Sequence, residues 1–282
     1  MSILAEIIAH KKTEIEGLDV RSLRRAAEAL PATRDFLAAI AGERGRGGRG
    51  RSVSLIAELK RASPSKGILA PHLDLLEVAD IYAENGAAAI SVLTDQKFFM
   101  GKLETLRELR FTRSLDLPLL RKDFMIDEVQ LYESRASGAD AVLLIAAALT
   151  DNNRLADLHA LALELGLTPL VEVHDEGETE RVLKLDDVRL IGINNRNLAT
   201  FEVSLETTER IRPMIPGDVV VVAESGIFTA PDVERLSRAR VDAILVGEAL
   251  VTAPDIAAKV RELSRKAVGH AYSVTLPRRM SR

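Results

Sequence analysis

The chain has 282 residues, 47% hydrophobic and 28% charged, which suits one large α/β domain or two small ones with a substantial buried core. A net charge of −4 and a pI near 5.9 give no bulk attraction for nucleic acid, so none is expected as a partner. The absence of cysteine excludes disulfides, thiol nucleophiles and thiolate metal sites, and no apolar run approaches the ~20 residues that a membrane helix requires.

The N-terminal segment predicts two helices. Residues 2–16 place Ile3, Leu4, Ile7, Ile8 and Ile15 on one side at helical spacing, and 22–30 repeats the pattern before Pro31 interrupts it. Glu6, His10, Lys11 and Lys12 break up any signal-peptide core, so a cytoplasmic location is expected. Residues 35–41 read as a further short helical turn, and 42–51 are a glycine/arginine tract. Glycine is too dense there for helix or strand, and a surface loop is expected in preference to an RNA-binding arm.

The stretch 52–67 follows, an apolar run that ends in alternating charges and a turn. Strand side chains alternate faces, so Glu58 and Lys60 share one side and Leu59 takes the other. Opposite charges at the end of a buried strand must pair or meet a charged ligand. The continuation Ala62-Ser63-Pro64-Ser65-Lys66-Gly67 is a hydroxyl- and glycine-bearing loop of a kind that cradles anions.

From here short aliphatic runs recur at 53–59, 87–94, 117–122, 140–147, 168–173, 189–195, 218–224 and 242–247. Amphipathic segments separate them at 73–85, 103–115, 128–137, 153–165, 175–185, 205–211 and 230–239. Strands alternating with helices at this interval require parallel crossovers, and their continuous apolar character buries both faces. Eight such units predict a (β/α)₈ TIM barrel over 51–265, preceded by a helical extension at 1–50 and followed by a tail at 266–282, in a single domain. An open doubly wound sheet is the competing architecture, but no G-x-G-x-x-G turn follows any strand.

Barrel active sites lie at the carboxyl ends of the strands. There the first run carries Glu58 and Lys60, the third Lys122, the fifth Glu172 and His174, the sixth Asn194 and Arg196, and the seventh Glu224. Polar ends from five strands converge on one mouth, which simple solvation does not explain. The seventh and eighth runs end in Glu224-Ser225-Gly226 and Gly247-Glu248, where backbone N–H groups and a short extra helix commonly hold phosphate. A phosphosugar is the leading ligand class.

With E-x-K-x-x-S-P-S at the first strand, R-K-D-F at the third, V-E-V-H at the fifth, I-N-N-R-N at the sixth, A-E-S-G-I at the seventh and L-V-G-E-A at the eighth, the chain resembles the indole-3-glycerol-phosphate synthases over 53–250. The resemblance implies ring closure, decarboxylation and dehydration of 1-(2-carboxyphenylamino)-1-deoxyribulose 5-phosphate, with no metal or organic cofactor. It implies a catalytic set of Glu58, Lys60, Lys122, Glu172 and Asn194. Ser63, Phe99, Phe124, Arg196, Glu224 and Ser225 would contact substrate, and Lys60, Ser225, Gly226, Gly247 and Glu248 would hold the phosphate. It also suggests that the N-terminal extension lies near the catalytic mouth. The tract at 44–51 and the basic tail 277–282 depart from the family pattern and stay unexplained. His174 is assigned no chemical role, since it follows Val173 on the outward alternation or in the loop and no partner carboxylate or spacing motif supports one. Two alternatives stay open: another phosphosugar isomerase or aldolase barrel, and a non-catalytic phosphosugar-binding barrel. Monomer and homodimer are equally compatible with the sequence.

Overall fold

A computed structural model describes residues 2–41, 52–64, 66–197 and 200–264. The glycine/arginine tract, Ser65 and the tail at 266–282 lie outside the described residues.

Eight parallel strands form a closed barrel: β1 (Ser54–Leu59), β2 (Ala89–Leu93), β3 (Leu119–Lys122), β4 (Ala141–Ile145), β5 (Thr168–Val173), β6 (Leu190–Asn194), β7 (Val220–Glu224) and β8 (Ala243–Val246). Neighbours pair in chain order and β8 returns to β1, with Ser54 opposite Ala243. Every strand lies inside its predicted run. The continuous apolar runs are explained by two cores. Ile56, Leu120, Leu143, Leu170, Val222 and Leu245 fill the barrel, while their alternates Leu55, Val142, Val171, Val221 and Ile244 face the helical shell.

The N-terminal segment forms α1 (Ile3–Ile15), α2 (Val20–Glu28) and α3 (Phe36–Ile40). The outer layer follows with α4 (Leu75–Glu84), α5 (Gln96–Phe99), α6 (Leu103–Arg107), α7 (Glu128–Ala136) and α8 (Asn152–Glu164). It is completed by α9 (Glu176–Val182), α10 (Glu206–Ile211), α11 (Ala230–Arg238), α12 (Glu248–Val251) and α13 (Ile256–Leu263). Aspartates begin many of these helices. Asp95, Asp127, Asp151 and Asp175, for example, each accept a backbone N–H of the first turn, which ends the preceding loop sharply.

Among the described residues, three α-helices escape the periodicity reading. α5 and α12 are single turns, too short to show a period. α13 carries Ile256, Val260 and Leu263 at i, i+4 and i+7 and packs on α4, α11 and α12. The predicted helix at 103–115 also departs from expectation, because after α6 the chain widens into a π-helical turn at Glu108–Thr112. Arg110 in that turn donates to the Gly138 carbonyl at 2.8 Å and pairs with Asp140 beneath the barrel.

The short turn expected at 35–41 closes the amino-terminal end of the barrel. Phe36 and Ile40 are completely buried in the inner core, and the backbone N–H of Arg34 donates to Asp140 at 2.8 Å just before β4. α2 packs along α7, whose Arg135 guanidinium holds the carbonyls of Leu30 and Pro31.

Candidate active site

The opposite, carboxyl end opens into a cavity of about 1150 Å³, counting its mouth. All fourteen residues singled out for the site in the sequence line it. Strand alternation is the reason: Glu58, Lys122, Glu172, Asn194 and Glu224 continue the inward rows begun by Ile56, Leu120, Leu170, Leu190 and Val222.

At β1 the Lys60 ammonium lies 3.2 Å from Glu58 Oε1. Gly247, at the end of β8, makes room for this pair, since a Cβ there would sit 2.5 Å from Glu58 Oε1 and 3.1 Å from Lys60. On the far side, Lys122 Nζ lies 3.4 Å from Glu224 Oε2 and 3.8 Å from Glu172 Oε2. Burial alone would lower the Lys122 pKa, but Glu224, Glu172 and Glu58 together overrule it and hold the ammonium charged. Glu224 responds in the opposite sense. Its burial dominates, reinforced by Glu172 and Glu58, and raises its pKa despite Lys122. Neither Glu224 oxygen accepts an aligned hydrogen bond, and a Cβ on the cross-strand Gly192 would collide with that carboxylate.

Glu172 is 2% exposed, yet it stays ionised: burial acts to raise its pKa, and Lys122, His174 and the Asn194 amide overcome that and lower it. The sequence reading of His174 is corrected here. The ring turns back toward Glu172, with Nε2 3.2 Å from Glu172 Oε1 and Nδ1 3.1 Å from Glu178 Oε2. Its second carboxylate comes from the first turn of α9, where Asp175 caps the Glu178 N–H and brings that side chain back.

Asn194 Oδ1 accepts the Arg196 N–H at 3.0 Å, which orients the amide at the end of β6. Arg196 reaches Glu248 at 3.9 Å, and Lys66 reaches the other oxygen of Glu248 at 3.4 Å. The Glu248 carboxylate thus links the loops after β1 and β6, so only its backbone N–H, at the start of α12, remains to face an anion. Ser225 and Gly226 both have left-handed backbones, φ 66° and 78°, which turn the chain sharply after β7. Ser63 pairs with Gly67 in a two-residue antiparallel ladder beside the cavity.

The apolar side of the cavity holds Phe99 and Phe124, with ring centroids 6.0 Å apart, above Leu143 and Ile145 of β4. β4 is a strand whose end carries no charge, and that absence was the available signal for an apolar floor. Ile3, Leu4 and Ile7 of α1 close the cavity from above.

Sequence reasoning missed what anchors α1. Lys11 is 2% exposed and lies 2.9 Å from both Asp95 and Asp123. Burial would lower its pKa, but Asp123, Glu14 and Asp95 raise it. Asp95 caps α5, which carries Phe99, and Asp123 separates Lys122 from Phe124. The signal was a lysine in the stripe of Ile3, Leu4, Ile7 and Ile15, where a surface charge does not belong.

Comparison with known proteins agrees with this geometry. The family model described as indole-3-glycerol phosphate synthase matches residues 4–263. Proteins of that name from Roseiflexus castenholzii and Dehalococcoides mccartyi are similar. The first is 50% identical over 272 residues, covering 93% of this chain and 98% of the relative. The second is 54% identical over 216 residues, covering 76% and 83%. Among solved structures, the 3-hexulose-6-phosphate synthase of Salmonella typhimurium superposes with a TM-score of 0.61 at 16% identity, over 75% of this chain and 97% of that one. That likeness speaks for the fold alone.

A closed (β/α)₈ barrel whose strand ends gather two lysines and three carboxylates beside an apolar pocket is an enzyme of the barrel class. It acts on a phosphorylated small molecule, and no helix among the described residues is long and apolar enough to cross a membrane. The chain belongs to the indole-3-glycerol phosphate synthase family, the decarboxylating lyases that close the indole ring in tryptophan biosynthesis.

Proposed function

We propose that Lys122 is the acid of the ring closure, protonating the ketone oxygen of the carboxyphenylamino-deoxyribulose phosphate as the aromatic ring carbon attacks. The observation that supports it is an ammonium held charged between Glu224 and Glu172, at the edge of a pocket lined by Phe99 and Phe124. An acid in a partly dry site delivers its proton where negative charge develops. Attack puts positive charge on the anilino nitrogen, and the side chains of Glu58 and Glu172 are the groups to stabilise it. Loss of carbon dioxide then restores the aromatic ring. Dehydration requires a proton on the departing hydroxyl and a base for the nitrogen or ring proton. Glu172 takes part in that second transfer, while Lys60 contacts the substrate's anionic groups and is the alternative proton source.

Ser63 holds the substrate carboxylate in this reading, and Asn194 and Arg196 orient the hydroxyls. Phe99 and Phe124 flank the ring, and Glu224 and Ser225 complete the contacts. The phosphate sits against Lys60 and the backbone N–H groups of Ser225, Gly226, Gly247 and Glu248, where two sharp turns and the start of α12 leave room. The single domain with its N-terminal extension, a cytoplasmic location, a monomeric or dimeric state and the lack of a nucleic-acid partner belong to the same proposal. The acidic net charge supports the last of these, and the closed barrel with helices ahead of its first strand supports the first.

The test is fluorimetric conversion of the substrate to the indole product by wild type and Lys122→Ala. Ring closure should fall by ~10²–10⁴ with substrate affinity within about tenfold, because the phosphate lies elsewhere. Retention of more than about a tenth of wild-type turnover overturns the assignment of Lys122.

A further inference from the structure

His174 sits where no role was expected for it, between two carboxylates on two different elements. Glu178, from α9, uses one oxygen twice: Oε2 accepts the His174 backbone N–H at 2.8 Å and lies 3.1 Å from Nδ1. That double contact fixes both the main chain and the ring. It leaves Nε2 facing Glu172 Oε1 at 3.2 Å, a close ion contact. A neutral imidazole carries a proton on one nitrogen only and would aim a lone pair at one of the two carboxylates. Both contacts are attractive only when both nitrogens carry hydrogen. The side chain is only 12% exposed, and although burial opposes its charge, Glu172 and Glu178 push its pKa up to about 10.

The geometry at Glu172 gives this cation a purpose. Its two oxygens are divided, Oε1 toward His174 and Oε2 toward Lys122 at 3.8 Å on the cavity side. The terminal torsion of a glutamate is broad and has no strong rotameric well, so its carboxylate turns unless something holds one oxygen. A neighbouring cation also keeps the group ionised and weakly basic. Such a base suffices for a proton on a cationic ring intermediate, which is strongly acidic, and it releases that proton readily afterwards.

We propose that His174 is the positioning residue for Glu172: an imidazolium gripped by Glu178 pins Oε1 and leaves Oε2 free to serve the reaction. This rests on the reading above that Glu172 takes part in proton transfer. The charged groups concerned are Glu172 on β5 and Glu178 on α9, with the Lys122 ammonium from β3 and the Asn194 amide from β6 beyond Glu172.

The experiment compares His174→Gln, Glu172→Gln and the double variant by steady-state kinetics across pH. His174→Gln should lower kcat by about 10–100-fold with KM within about threefold, as removal of an outer partner of a reactive group does. The acidic limb of kcat should move to higher pH, because Glu172 loses an adjacent cation. In the Glu172→Gln background the same substitution should change little. Unchanged kcat and an unchanged acidic limb in His174→Gln, beside a collapsed Glu172→Gln, would overturn the positioning role alone. Wild-type turnover in Glu172→Gln would overturn the underlying reading and the proposal with it. Independently of any variant's folding, the ¹⁵N imidazole shifts of His174 in the wild-type protein at about pH 8 should show both nitrogens protonated, well above the ordinary histidine pKa of ~6.5. A neutral ring there would also overturn it.

Discussion

The N-terminal extension meets the barrel at both ends and treats them in opposite ways. At the amino-terminal end α3 inserts Phe36 and Ile40, completely buried among aliphatic side chains. At the carboxyl end α1 lays Ile3, Leu4 and Ile7 over the cavity but fastens itself with Lys11, a buried ammonium between Asp95 and Asp123. The apolar plug is stabilising by burial alone and leaves no group to titrate. The ionic tether contributes little net stability once desolvation is counted, but it brings the two aromatic loops and the strand carrying Lys122 into one register. One end of the barrel holds the fold together, and the other holds the site in shape.

That comparison breaks if the two ends prove interchangeable. The largest effect on the apolar side is expected from Phe36→Ala, which should cost about 3–5 kcal/mol of unfolding free energy. Its kcat and KM should stay near wild type wherever the protein remains folded. Urea unfolding monitored beside the indole assay decides it, and a stable but inactive variant would mean that the plug shapes the mouth.

Lys11→Met tests the tether. Removing one partner of a buried ion group costs about 3–5 kcal/mol, toward the lower figure here because Arg121 still pairs with Asp123 at 3.2 Å. Unlike Phe36→Ala, this variant should also lose turnover, since Phe99 and Phe124 sit on the segments it releases and Lys122 ends the strand beside them. A variant that loses stability and keeps full kcat would show that α1 is only a cover.

Gly247→Ala sharpens the picture within the mouth. The added methyl would lie 2.5 Å from Glu58 Oε1, so the damage reaches the Glu58–Lys60 pair as well as the phosphate turn. Overpacking of about 1–3 kcal/mol should lower kcat by roughly tenfold while KM rises. Gly226→Ala meets Val203 at 2.5 Å and a strained φ but neither Glu58 nor Lys60, so its effect should fall mainly on KM. Equal kcat losses in both variants would remove the distinction.

The smallest expected effect has the opposite sign. The pKa of Glu224 is raised by its burial, so the folded protein binds this proton more tightly than the unfolded chain does. Its contribution is complete below the unfolded value of ~4.3 and is lost as pH rises through the folded value, so wild type loses stability from about pH 4.3 toward neutrality. Glu224→Gln does not titrate. It should be more stable than wild type at neutral pH by on the order of 0.5–2 kcal/mol, with the gain vanishing in acid and with impaired turnover. A thermal melt that shows no gain at any pH would count against a strained carboxylate at this end.

How much of this was legible in the sequence follows from the range over which each feature is determined. Period-two alternation and the spacing of aliphatic runs are local, so the eight strands, their parallel order and the inward direction of Glu58, Lys122, Glu172, Asn194 and Glu224 could all be read from the chain. The unbroken apolar end of β4 and the lysine within the stripe of α1 were also present in the sequence, as departures from pattern whose purpose needs a partner in space. Only tertiary structure decided which charge meets which. Lys11 reaches Asp95 and Asp123 across more than eighty residues of chain, Glu178 turns back on His174 because of where α9 begins, and Gly192 and Gly247 matter through neighbours on the next strand. Those pairings, and the pKa shifts that follow from them, depend on barrel closure and strand register. These are set by the sum of many long-range contacts, and no single stretch of residues encodes them.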